Sequence, residues 1–95
     1  MSDLIETKRG FLKQIEHKKA EIIALKHLIN IQETALLLNT DFKAEGLTNE
    51  KQRTAYINNK LREKKEEIDW LKYDLTILEN DVTILNDLLY KKGDD

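Results

Sequence analysis

The chain has 95 residues, of which 36% are charged, with a net charge of −2, no cysteine, no proline and only three glycines. Without cysteine, disulfides and thiolate metal sites are excluded, and this length allows one small domain at most. No apolar run approaches the roughly 18 residues needed to cross a membrane. Met1–Glu6 lacks the basic segment and apolar core of a secretory signal, so the expectation is a soluble, cytoplasmic protein.

A composition rich in Lys, Glu, Leu and Ile belongs to long helices and coiled coils. In the first half, Ile15, Ile22, Ile29 and Leu36 recur every seven residues, with Leu4, Phe11 and Leu25 at the alternate seam position. Lys8, Lys18 and Gln32 interrupt this row. Polar seam residues lower stability but fix register, and a Lys stem can also pack while its ammonium reaches water. A helix is predicted over about residues 3–39, with Gly10 as its weak point.

The segment from Asn39 to Leu47 gathers Asn, Thr, Asp and Gly and contains the interior break, a turn over about residues 40–47. Thr48 offers an N-cap hydroxyl, and Glu50 falls where a helix dipole favours negative charge.

The second helix is predicted over about residues 48–91. Leu61, Ile68, Leu75, Val82 and Leu89 alternate with Ile57, Lys64, Leu71, Leu78 and Leu85 at spacings of four and three. Only Lys64 is polar among these ten, so this face is built to pack along another helix. The fold class that follows is all-α: two long helices in an antiparallel coiled-coil hairpin, with an oligomeric helical bundle expected because two helices enclose little interior.

Charge supports the antiparallel arrangement. Residues 8–19 carry a net +4 and residues 66–81 a net −5, and folding at the turn sets these segments side by side. Nearer the turn, residues 50–65 carry +4 opposite residues 20–45 at −2. Each exposed pair is worth only tenths of a kcal/mol, ~0.2–1, but the summed pattern selects orientation.

A second apolar row lies off the seam. Trp70, Ile77 and Ile84 share one heptad position with Tyr56, and Tyr73 sits one turn from Trp70; on the first helix Ala24, Ile31 and Leu38 hold the equivalent position. A solvated back face should be polar, so Trp70, Tyr73, Ile77 and Ile84 are the candidate protein interface. Burial of this stripe against a second hairpin is expected to make a homodimer or higher assembly.

Chemistry is otherwise sparse. His17 and His27 lie three turns apart, too far to share a metal, and they read as surface residues. There is no Gly-rich phosphate loop, no Ser-His-Asp arrangement and no cleft to perturb a carboxylate. The expectation is a non-enzymatic protein with no catalytic residue, cofactor, metal or small-molecule substrate. The basic run Lys60-Leu61-Arg62-Glu63-Lys64-Lys65 could touch nucleic acid, but the overall charge is negative and few aromatics interleave with it, so nucleic acid is not the favoured partner.

Residues 46–56, Gly-Leu-Thr-Asn-Glu-Lys-Gln-Arg-Thr-Ala-Tyr, resemble a segment of small coiled-coil proteins of tailed bacteriophages, often encoded among early recombination or replication genes. The resemblance covers about eleven residues and implies a helical hairpin in the host cytoplasm, with Thr48, Asn49, Glu50 and Arg53 as its turn motif and no assigned mechanism. Three functions follow as expectations. The first is a self-associating interaction protein that binds a protein partner. The second is an inhibitor of a host nuclease or defence complex acting through the acidic 66–81 segment. The third is a DNA-binding accessory factor using the 51–65 segment.

Overall fold

The computed structural model describes residues Ser2–Lys91 as two helices, α1 (Ser2–Asn39) and α2 (Glu50–Lys91), joined by residues 40–49. They form an antiparallel helical hairpin, as the alternating spacings predict. By packing, the chain divides into two compact units: Ile23–Asp69, which contains the connection, and Met1–Ile22 paired with Trp70–Asp95.

Within Ile23–Asp69 the core is Ile29, Ile57, Leu61 and Ile68, with Leu25 and Leu36 half-buried beside them. Leu61 is 3% exposed and no large side chain of the described residues is fully enclosed, which reflects a core only one helix thick on each side. Gln32 and Lys64, the polar seam residues, meet each other: Lys64 Nζ donates to Gln32 Oε1 at 2.8 Å. The interruption of each row is thereby answered by the other.

The connection is itself ordered by hydrogen bonds. Asp41 Oδ1 accepts from the Ala44 N–H at 3.1 Å and caps a single helical turn. That turn closes with Leu47 N–H on the Phe42 carbonyl at 2.8 Å and Gly46 N–H on that of Lys43 at 3.1 Å. This is the Schellman pattern, and it requires the left-handed backbone that Gly46 adopts at φ 74°. The second helix begins at Glu50, two residues later than the predicted start. Asn49, rather than Thr48, is its N-cap: Asn49 Oδ1 accepts from the Gln52 N–H at 2.8 Å, and Gln52 Oε1 reaches back to the Thr48 N–H at 3.0 Å. Both side chains can cap, but the Schellman turn uses Leu47, so the chain is positioned to enter the helix only after Asn49.

In the other unit Ile15, Ile22 and Leu85 are buried, and Leu4, Phe11, Leu71, Leu75, Leu78, Val82 and Leu89 are half-buried along that unit's seam. The two Lys interruptions of α1 find partners on α2. Lys18 Nζ lies 3.7 Å from Asp74 Oδ2, and Lys8 Nζ stands 5.3 Å from the centre of the Tyr90 ring. Asn86 Oδ1 is buried without a hydrogen-bond partner, the one such side-chain atom among the described residues. No described helix is long and apolar enough to cross a membrane.

Candidate interaction surface

A helix that spends one face on its hairpin partner leaves its remaining faces to water or to another molecule. On α2, between Trp70 and Ile84, the free face carries the predicted stripe. Trp70 is 67% exposed and Ile84 57%, with Tyr73 and Ile77 also exposed. Trp70 and Tyr73 meet edge to face, ring centres 6.2 Å apart at 90°. Such an edge-to-face pair is worth about 0.5–1.5 kcal/mol, and any restraint it puts on the rings lowers the ordering entropy that docking against them would cost.

On α2 itself, the charges next to this stripe are all of one sign. Positions three and four residues from Trp70, Ile77 and Ile84 are its neighbours on the helix surface. Those positions hold Glu66, Glu67, Asp74, Asp81 and Asp87, together with Tyr73, Asn80 and Leu88, and no Lys or Arg. Asp74 is drawn toward Lys18, and Glu66 Oε1 lies 3.9 Å from Arg62 Nε. The face is therefore apolar along its middle and acidic along its edges.

At the connection, Thr48, Asn49, Glu50 and Arg53 have structural duties. Asn49 caps α2, Thr48 donates its backbone N–H to Gln52, and Glu50 occupies the first turn. Arg53 lies over the Phe42 ring at 5.6 Å, with its Nε 3.5 Å from the Leu47 carbonyl. Phe42 in turn meets Tyr56 edge to face at 6.3 Å, and Lys60 Nζ stands 5.4 Å from the Tyr56 ring centre.

These contacts bear on the basic segment. Arg53 and Lys60 lie on aromatic rings, Lys64 is bonded to Gln32, and Lys65 Nζ donates to Asn58 Oδ1 at 2.8 Å. Arg62 faces Glu66. Five of the six cations of residues 51–65 thus have a partner within the hairpin, and Lys51 is exposed at the start of α2. The opposite-charge segments also make less direct contact than their net charges suggest. Among the described residues the one ion pair between helices is Lys18–Asp74, because most of the other charges occupy heptad positions that point away from the seam.

His17 Nε2 lies 2.8 Å from Glu21 Oε1 within α1, and His27 is exposed. Two shallow grooves lie in Ile23–Asp69. The first, of about 400 Å³, runs beside Ala35, Leu36, Lys60 and Leu61. The second, of about 460 Å³, lies along one face of α2 at Glu50, Ala55 and Asn58.

The apolar row of Ala24, Ile31 and Leu38 on α1 has two further members. Between Ala24, Ile31 and Leu38 stand Leu28 and Ala35, so that Ala24, Leu28, Ile31, Ala35 and Leu38 follow spacings of four, three, four and three, all exposed. This is a second seam, displaced one residue and therefore about 100° around the helix from the first. The signal was present in the sequence: the same alternation, read one residue before Leu25, Ile29, Gln32 and Leu36.

No family model matches the chain, and no curated protein or solved structure is similar to it.

Proposed function

We propose that this chain is a non-enzymatic helical-hairpin interaction protein, phage-encoded and acting in the host cytoplasm, that self-associates and docks a protein partner on the α2 stripe. The observation that carries the reading is the exposed alignment of Trp70, Tyr73, Ile77 and Ile84 on one helix face. Exposing a Trp and two Ile forgoes roughly 1.5–3 kcal/mol for each large side chain that could be buried. An amphipathic helix laid along this face would recover that burial. The acidic edges specify its flanks: the partner helix should carry Lys or Arg beside its apolar row.

Trp70 is the single tryptophan and reports on its own face. Titrating the hairpin with a synthetic amphipathic helix of Leu and Lys heptads should shift Trp70 emission to the blue. A Leu and Glu counterpart should leave it unchanged. Equal response to both peptides, or to neither, overturns the docking reading. For self-association, light scattering after size exclusion at tens of micromolar should give a mass above that of one chain, and a monomer overturns that half.

A second reading is favoured by the acidic 66–81 segment: an inhibitor of a host nuclease or defence complex, with Glu66, Glu67 and Asp69 imitating a phosphate array. Its distinguishing result is inhibition lost when these three are made amides but retained by Ile77→Glu. The engagement of Arg53, Lys60, Lys64 and Lys65 within the hairpin weighs against a DNA-binding role for residues 51–65.

A further inference from the structure

We infer that the self-association surface is the second seam of α1, with α1 of one copy lying antiparallel on α1 of a second copy about a two-fold axis near Ile31. The inference rests on the self-association proposed above and says which face performs it.

The first argument is charge. A symmetric contact sets a surface against itself, so like charges meet. The α2 stripe, edged by Glu66, Glu67, Asp74, Asp81 and Asp87, would oppose carboxylates to carboxylates. The α1 seam carries no charged side chain from Ala24 to Leu38. Glu21 and Asp41, three residues beyond its two ends, are the nearest charges along the chain outside it, and Lys60 of α2 stands at the groove beside Ala35, where its long stem lets the ammonium reach water.

The second argument is size. Read forward, the seam is Ala24, Leu28, Ile31, Ala35, Leu38. Laid antiparallel on itself and centred on Ile31, it places Ala24 against the second copy's Leu38 and Leu28 against its Ala35, with Ile31 meeting Ile31. Every small residue faces a large one. A parallel in-register pairing would instead set Leu on Leu and Ala on Ala, leaving alternate gaps and bulges. The antiparallel order is the one that interdigitates.

The third observation is the groove beside Ala35. It is about 400 Å³ and is lined, besides Ala35, by Leu36 and Leu61 and by the polar Gln32, Asn39, Thr40 and Lys60. Ala35, a small side chain, is the residue of the α1 seam among its lining. The second copy's Leu28 is the residue that this pairing brings over Ala35, so the groove is the hole that its knob enters.

The test uses the full chain and measures mass by light scattering. Ile31 is 52% exposed in the hairpin. Ile31→Glu should therefore abolish the dimer while circular dichroism keeps its helical signal. Leu28→Ala and Ala35→Leu should each weaken association by roughly tenfold or more, since each change is felt twice across the axis. The swap of both in one chain restores a small residue opposite a large one and should recover most of that loss. Trp70 emission should not move as the dimer forms. If Ile31→Glu keeps its mass while Trp70→Glu dissociates, self-association stands but its face is the α2 stripe, and this inference is overturned. Failure of the swap to restore affinity overturns the antiparallel pairing. A monomeric wild type removes both the inference and the self-association on which it rests.

Discussion

Lys64 donates its ammonium to the side-chain carbonyl of Gln32 at 2.8 Å, so the polar residue in the α2 row and one of those in the α1 row are partners. Neither is expendable alone. Lys64→Leu adds apolar burial but strands a half-buried amide, which costs about 1–3 kcal/mol, so the single change should be close to neutral or destabilising. Gln32→Leu with Lys64→Leu removes both polar groups and should raise stability by about 1–2 kcal/mol, while loosening the choice of register that the pair enforces. Urea unfolding of the four members of the cycle measures the coupling; additive single changes would show that the pair contributes nothing.

The two ends of the connection should respond differently to loss of a cap. Asn49→Ala removes the acceptor for the Gln52 N–H and should cost about 1 kcal/mol. Thr48→Ala leaves the backbone N–H that Gln52 Oε1 receives, and should change stability by no more than about 0.5 kcal/mol. A larger loss at Thr48 than at Asn49 in thermal unfolding would place the cap at Thr48 after all.

The glycines provide an internal control. Apart from the adjoining backbone, neither Gly10 nor Gly46 has an atom within 4 Å of where a Cβ would stand, so crowding by other parts of the chain plays no part in replacing them. Gly10 is helical, and Gly10→Ala should stabilise by about 0.5–1 kcal/mol. Gly46 has φ 74°, and Gly46→Ala should destabilise by about 1–2 kcal/mol, with Gly46→Asn milder. Opposite signs from one chemical change would isolate backbone conformation as the cause.

Asn86 supplies a stability test away from the proposed contacts. Its Oδ1 is buried without a partner, so Asn86→Leu should stabilise the hairpin by about 1 kcal/mol or more in urea unfolding. A destabilised variant would mean that the amide has a favourable contact after all.

Heptad spacing made the hairpin legible because the seam is long and its exceptions few: Ile57, Leu61 and Ile68 are buried where the spacing puts them. Less legible was the entry to α2, since Thr48 and Asn49 are both competent caps and their order is decided by the Schellman turn at Gly46. Net charge of segments was a good guide to orientation and a poor one to contacts, as Lys18–Asp74 illustrates: charges on outer positions contribute to the field without touching. The α1 seam was half read because Ala35 resembles a filler residue until Leu28 is seen four residues from Ala24 and paired with it in size. The acidic border of Trp70 could have been found by taking the neighbours three and four residues away, the step that turns a stripe into a surface with a sign.

The hydrogen-bonded turn between Asp41 and Leu47 also bears on how the hairpin forms. Its bonds join residues only three to five apart in sequence, so they can close on the timescale of a single loop, before either long helix has a partner. Phe42 and Tyr56 then meet across a short loop, whereas Gln32 and Lys64 must close one of 32 residues. Each doubling of loop length adds about 0.6 kcal/mol to closure, which gives the connection a head start. Assembly is then expected to zip outward from Gly46 along the two helices. Changes there should slow folding, while changes at Leu85 should act mainly by hastening unfolding.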